Sequence, residues 1–496
     1  MENDDKRILE LEQQVQKLQD ELKTANRELT QKAEALEELL GKVHHVDEEK
    51  VEDLLDSVKE QERDYKNHYD ALTGLPAYHQ FIDMVDEYLL MHGKKGHYCV
   101  YSDFSNFQYL NEVYGYEEGD YVLQRFAESL MNEYADGIMF CRVTSDHFIG
   151  IIYEEDLEQA KESYLAFTSE FTKRCNEKYD QCNLVIVSGI YEITENDRTV
   201  ASMLDKANDA RKMGKEQKVK TSVVPYTDQI KYQTESVKHI VGNMVSAYNN
   251  KEFYAYLQPK VSLKTGRIIG AEALVRWIRS DGTKMMPAQF IDIFERNGFI
   301  TQVDFCVLEQ VVEYLEDALL KQEEVVPVSV NFSRRHNETK GFVTEVFQCL
   351  ETHHVPNNLL EAEVTESVFM SDLSQLDSNL KKFRSQGVEI SVDDFGSGYS
   401  SLNILGKVDV DTIKLDKQFL DSAAEKENAV TVIKYLIKML KHLGFKVLAE
   451  GVETGEQLQM LKEADCDVVQ GYYYAKPMPI HEFRQFLKEF NQKAVG

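Results

Sequence analysis

The chain has 496 residues, 86 of them Asp or Glu and 56 Lys or Arg, for a formal net charge of −30. That length holds two to four domains at about 100–200 residues each, and a chain this acidic would be repelled by a nucleic-acid backbone or an anionic bilayer. No apolar run approaches the roughly 20 residues of a membrane span, MENDDKRILELEQ lacks a signal-peptide core, and seven scattered cysteines without a Cys-x-x-Cys pair argue against a disulfide framework or zinc site and for a reducing cytoplasm.

Residues 1–62 carry Ile8, Leu11, Val15, Leu18, Leu22, Ala25, Leu29, Lys32, Leu36, Leu39 and Val43 at alternating spacings of three and four. Lys32 is the only polar member of this seam, and neither glycine nor proline interrupts it before Gly41. The pattern predicts a coiled coil, with a single solvated helix as the alternative.

Residues 66–226 open with DALTGLPAYHQF and then mix strand and helix patterns. HYCVYSDF, IMFCRVTSDHFIGIIY and NLVIVSGIYEI read as strands. Phe81–Leu90, the stretch after Gly119 and the stretch around Ala201–Lys212 read as helices, so the region is a compact α/β or α+β domain. A polar segment, 227–240, joins it to the next.

Residues 241–496 contain eight strand-like segments separated mostly by helical stretches: FYAYLQPKVSL, IIGAEALVRW, VPVSVNFS, LEAEVTES, VEISVDDFG, TIKLD, KVLAEGVE and VVQGYYYAK. This is the arithmetic of a (β/α)8, TIM-like barrel. The link KTGR between the first two is too short for a helical crossover, so that pair is predicted antiparallel. The later strands end in polar residues: Glu272, Asn331, Glu363 and Glu366, Asp393 and Asp394, Lys414, Glu450 and Glu453, and Gln470. C-terminal strand ends of a barrel converge on one face. Carboxylates gathered there repel each other unless cations lie between them, and oxygen ligands without Cys or His suit Mg²⁺ or Mn²⁺ over zinc.

In sequence order, EALVRW, VNFS, EVTES, DDFGSGYSSL, IKLD, AEGVET and QGYYYAKP closely resemble the EAL domain, the family of cyclic di-GMP phosphodiesterases. The resemblance implies hydrolysis of cyclic di-GMP to linear pGpG by water activated between two divalent ions. Glu272, Asn331, Glu363 and Asp393 resemble the ligands of one ion, and Asp393, Asp394 and Glu450 those of the other. Lys414 resembles the catalytic lysine, and Glu450, Glu453 and Glu366 resemble further catalytic or supporting positions. Gln258, Arg276 and Gln470 resemble substrate-binding residues, with a barrel-mouth salt bridge as the alternative for Arg276. In the family the loop DDFGSGYSSL couples metal binding to dimerisation, with Glu366 as its anchor. Arg296 and Asn297 depart from the commoner pattern, away from the ligand positions.

The middle region resembles a GGDEF domain, the ferredoxin-like, cyclase-type α+β fold of diguanylate cyclases, through DALTGLPAYHQF, YSDFSNFQYLNEVYGYEEGD and VSGIYEI. Its signature is broken: Thr144, Ser145, Asp146, His147 and Phe148 stand where the family has two glycines, Asp, Glu and Phe. Backbone approach to phosphates needs the glycines, and His is a poor Mg²⁺ ligand. Ser105 stands where a second acid is common, and the family's allosteric Arg-x-x-Asp is absent at 135–138. The domain is expected to be inactive as a cyclase. Asp103, Asn111 and Asp120 match family positions for metal and guanine, so GTP sensing and mere retention of fold residues both stay open. The leading expectation is a cytoplasmic phosphodiesterase, a homodimer through its coiled coil and EAL domain. A catalytically silent cyclic di-GMP receptor signalling through the coil, and a scaffold for a protein partner, are the alternatives.

Overall fold

The computed structural model describes residues 68–134, 139–215, 220–338, 341–366, 373–396, 405, 409–425 and 427–493. The coiled-coil reading of 1–62 and the absent motif at 135–138 lie outside these residues. The chain divides into two compact units at Ser236/Val237. Among the described residues, no helix is long and apolar enough to cross a membrane.

The first unit is built on a five-stranded sheet of β1 (His97–Ser105), β2 (Met139–Thr144), β3 (His147–Tyr153), β4 (Val185–Glu192) and β5 (Ser222–Pro225), ordered β2-β3-β1-β4-β5. β1 is antiparallel to both β3 and β4, and β4 is parallel to β5. Apolar cores form around Phe104, Phe126 and Phe148 and around Phe81, Ile149 and Met203. Helices Tyr78–His92, Tyr116–Glu133 and Val200–Lys215 fall where the apolar spacing puts them. Gly189 of β4 lets the last of these close on the sheet, since an added Cβ would lie 1.8 Å from Ala207 O. The segment IMFCRVTSDHFIGIIY, read as one strand, is the hairpin β2–β3. Its turn contains Ser145 at φ 42°, and Arg142 Nε donates to Ser145 O at 2.7 Å. Helix Leu157–Lys178, capped by Asp156 accepting from Gln159 N, and strand β5 were not among the elements read from sequence.

The expected linker 227–240 lies largely in a helix, Asp228–Asn249, which begins in the first unit and ends in the second, and whose start is marked by Thr227 Oγ1 accepting from Ile230 N at 3.3 Å. The barrel strands are β6 (Phe253–Ser262), β7 (Ile268–Ile278), β9 (Val328–Asn331), β10 (Leu360–Thr365), β11 (Glu389–Phe395), β12 (Thr412–Leu415), β13 (Lys446–Ala449) and β14 (Val468–Val469). Short strands β8 (Lys284–Met285) and β15 (Met478–Pro479) pair at the edges of β7 and β6. The ring runs β6-β14-β13-β12-β11-β10-β9-β7 and closes by β6–β7 pairing. All neighbours are parallel except β6, which is antiparallel to both β7 and β14, as the short link KTGR requires. In β10, Leu360, Ala362 and Val364 join the core between barrel and helices. Strand alternation therefore turns Glu361, Glu363 and Thr365 to the barrel interior.

Candidate active site

The interior polar residues converge on one ammonium group. Lys414 of β12 is fully buried. Its Nζ lies 2.7 Å from Glu450 Oε1, 3.0 Å from Glu363 Oε2, 3.1 Å from Asp393 Oδ1 and 3.4 Å from Glu272 Oε2. These acids come from β7, β10, β11 and the end of β13, so the closed ring itself assembles the cluster. Glu272 is held on both oxygens: Asn331 Nδ2 donates to Oε1 at 3.0 Å and Gln470 Nε2 to Oε2 at 2.5 Å. Gln470 Nε2 also donates to Gln258 Oε1 at 3.1 Å, and Gln258 lies opposite Glu272 in the β6–β7 register.

Asp393 and Asp394 are adjacent, and a regular strand would send them to opposite faces. The β11–β12 register shifts between Val392 and Phe395, and Asp394 takes a left-handed φ of 55°. This irregularity returns Phe395 to the core and leaves both carboxylates beside Glu450. Glu366 is buried, and its Oε2 accepts from Gly396 N at 2.9 Å. Gly396 has φ 99°, and an added Cβ would lie 2.2 Å from the Phe419 ring, so glycine is required there. The rest of the loop, 397–404, lies outside the described residues.

Arg276 follows Glu272 by four residues on the same face of β7, with its guanidinium 5.7 Å from the centre of the Tyr256 ring. Glu453 stands outside the Lys414 cluster; it is exposed and pairs with Lys417 at 2.6 Å.

Burial alone would push Lys414 down, but Asp393, Glu272, Glu363 and Glu450 hold it well above the ordinary lysine value. Burial also pushes Glu363 up, yet Lys260 and Lys414 bring it down to about 2. Glu272 is pushed up to about 7 by burial and by Glu363, and Asp394 to about 6 by burial and by Asp393. Glu450 is raised well above the usual range by burial, against the pull of Lys414.

Two acidic triads fit divalent cations. Ligand oxygens of Glu272, Glu363 and Asp393 lie within 4.8 Å of one another, as do those of Asp393, Asp394 and Glu450, with Asp393 common to both. The five carboxylates of the two triads outnumber the lysines that touch them, Lys414 and Lys260, and an all-oxygen donor set matches a hard cation. Ligation needs the ionised forms of Glu272, Asp394 and Glu450, all of them raised. We therefore expect Mn²⁺ affinity to rise with pH through about 6 to 7, with proton release on binding, as measured by calorimetry in buffers of different ionisation enthalpy. Affinity flat across that window would refute the assignment.

Residues 243–477 match the family model of the EAL domain, and residues 67–221 that of the diguanylate cyclase, GGDEF domain. The chain is a GGDEF–EAL tandem protein. It is 30% identical to the signaling protein YkoW of Bacillus subtilis over 85% of this chain and 53% of that protein. It is 28% identical to the cyclic di-GMP phosphodiesterase NbdA of Pseudomonas aeruginosa over 86% of this chain and 55% of that one. The chain thus spans about half the length of these curated relatives. A solved structure of Vibrio cholerae LapD, comprising S helix, GGDEF and EAL and bound to c-di-GMP, has the same fold. It covers 84% of this chain and 98% of its own at 19% identity, with a TM-score of 0.51.

In the GGDEF domain, Asp103 of β1 faces His147 of β3 across the ladder. Asp103 Oδ2 accepts from His147 Nε2 at 3.1 Å, from Lys215 Nζ at 2.7 Å and from Arg211. Burial pushes Asp103 up, but His147, Lys215 and Arg211 hold it at about 2. Asn111 is half-buried beside Gly119, where an added Cβ would strike its Oδ1, and Asp120 is exposed. Two participants escaped sequence reasoning: Lys260 in the EAL barrel and the Arg211–Lys215 pair in the GGDEF domain. Lys260 stands two residues after Gln258 on the same strand face, a period-two signal present in QPKV.

Proposed function

We propose that the EAL domain hydrolyses cyclic di-GMP to linear pGpG with two divalent cations, Mg²⁺ or Mn²⁺. Glu272, Asn331, Glu363 and Asp393 would hold one, and Asp393, Asp394 and Glu450 the other. The observation that carries this reading is the complete set of interior acids packed around Lys414, in two triads that share Asp393. The similarity to NbdA, a cyclic di-GMP phosphodiesterase, supports it. Divalent ions so held supply Lewis-acid polarisation of a phosphate and acidify water. Lys414 supplies a fixed positive charge where negative charge develops on the phosphoryl group. Asn331 and Gln470 orient Glu272. Arg276, further along the face of Glu272, meets the dinucleotide's phosphate, and Gln258 its guanine. Glu366 orders the loop that starts at Gly396, and Glu453 supports the site from its rim. The protein acts in the cytoplasm. Full-length protein incubated with cyclic di-GMP and Mn²⁺ should yield pGpG by nucleotide chromatography, and EDTA should abolish the product. Binding without turnover would overturn this reading in favour of a silent receptor.

The GGDEF domain, in this reading, makes no cyclic di-GMP and serves as a regulatory or structural module. A cation at Asp103 would have to displace Arg211, Lys215 and His147, and Thr144 and Ser145 crowd the phosphate turn. GTP should give no cyclic di-GMP with wild type and none with His147→Glu, because repair of one defect leaves the others. Product from wild type would refute this. GTP is proposed to bind through Asn111 and Asp120 without turnover; calorimetry showing no uptake at millimolar GTP would leave a structural module only. Two chains are proposed to pair through the heptads of 1–62 and through the EAL domain. Deletion of 1–62 should reduce the particle mass in sedimentation, and an unchanged mass would refute a role for the heptads.

A further inference from the structure

Two buried residues unused by this chemistry lie against Glu363. Lys260 of β6 is 4% exposed, and its Nζ donates to Glu361 Oε2 at 2.8 Å and to Glu363 Oε1 at 3.0 Å. Glu361 precedes Glu363 by two residues on β10, shares its interior face, and is itself buried. The other oxygen of Glu363, Oε2, faces Lys414 at 3.0 Å. The carboxylate is therefore gripped on both edges by ammonium groups from two strands, which fixes its plane.

The reversed direction of β6 makes the grip possible. Gln258 sits opposite Glu272 at the level of the cluster, while Lys260, two residues on, sits opposite Gly270, deeper in the barrel. An added Cβ at Gly270 would meet Lys260 Cδ only at ordinary contact distance, 3.5 Å, and would press on Pro327 O at 3.3 Å. A buried ammonium and a buried carboxylate each carry a large desolvation cost unless paired. Lys260 and Glu361 together are neutral, so they orient Glu363 without altering the net charge available to a cation.

We infer that Lys260, with Glu361 as its counter-ion, is a positioning pair for Glu363, and that divalent-cation affinity depends on a lysine that touches neither cation nor substrate. The inference rests on the assignment of Glu363 as a metal ligand.

Mn²⁺ titration calorimetry on the full chain tests it, with folding of each variant checked by circular dichroism. Lys260→Met keeps the stem and removes the donor. It should weaken Mn²⁺ binding about tenfold or more, the usual effect of removing a ligand's supporting partner. At saturating Mn²⁺ its KM for cyclic di-GMP should stay at the wild-type value. Lys260→Met alone leaves Glu361 buried without its cation and Glu363 with Lys414 alone, so the double variant Lys260→Met/Glu361→Gln, balanced in charge, carries the test if the single variant does not fold. A lysine serving only to neutralise Glu361 would be rescued by the second change. The positioning role is not rescued, because Glu363 Oε1 still lacks its donor. Wild-type Mn²⁺ affinity in the folded double variant would overturn the inference even with hydrolysis intact. Conversely, Lys260-dependent Mn²⁺ binding in a wild-type protein that leaves cyclic di-GMP uncut would support the positioning pair and overturn the phosphodiesterase reading.

Discussion

Glu272→Ala or Asp393→Ala should slow cyclic di-GMP hydrolysis at least ~100-fold, in keeping with the loss of a main electrostatic contributor at a site of developing charge. The two variants should differ in a second readout. Glu272 belongs to one acidic triad, whereas Asp393 belongs to both. Glu272→Ala should therefore lose one Mn²⁺ equivalent per chain, and Asp393→Ala should weaken both. Glu272→Ala also leaves Asn331 and Gln470 without their shared acceptor. Near-normal turnover in either purified variant would sink the two-metal assignment.

The second large effect concerns stability as well as rate. Lys414→Met removes the cation that, among the described residues, lies within 3.4 Å of all four of Glu272, Glu363, Asp393 and Glu450, leaving Glu363 alone with a second lysine, Lys260. Breaking a buried charge cluster by removing one partner costs about 3–5 kcal/mol, and here four acids lose the same counter-charge. Metal-free Lys414→Met should melt well below metal-free wild type. Mn²⁺ should restore much of the melting temperature, because the cation replaces the lost charge, while leaving turnover at least ~100-fold down. Paired thermal melts with EDTA and with Mn²⁺ check this. Equal metal-free melting of variant and wild type would show that Lys414 is not the counter-ion holding the apo cluster together.

Much of this arrangement is legible before any coordinates, for a definite reason. Several barrel strands run apolar and then end in acids, amides or a lysine, and closing the ring makes those ends neighbours. The antiparallel start follows from KTGR, whose Gly266 at φ 66° donates its N–H to Ser262 O at 2.9 Å in the tight link. What stayed hidden depends on distance in sequence or on local irregularity. Lys260 meets Glu363 across 103 residues, and Lys215 meets Asp103 across 112. No periodic pattern within one segment reports such partners. The hairpin turn at Ser145 lacks the glycine that usually marks one, so two strands read as one. The break in β11 is invisible for the same reason: Asp-Asp in an apolar run looks like strand alternation that happens to be polar twice.

The kink at Asp394 also bears on how such a protein changes under selection. A non-glycine residue held in a left-handed conformation costs about 1–3 kcal/mol, and glycine adopts it freely. Asp394→Gly would thus ease the backbone and remove one of the crowded acids in a single nucleotide change (GAT→GGT or GAC→GGC). A screen that rewards heat tolerance alone should enrich that replacement, and the survivors should be sturdier barrels with an incomplete second triad. In the phosphodiesterase reading proposed above, the aspartate is kept for the second triad at a cost to the backbone.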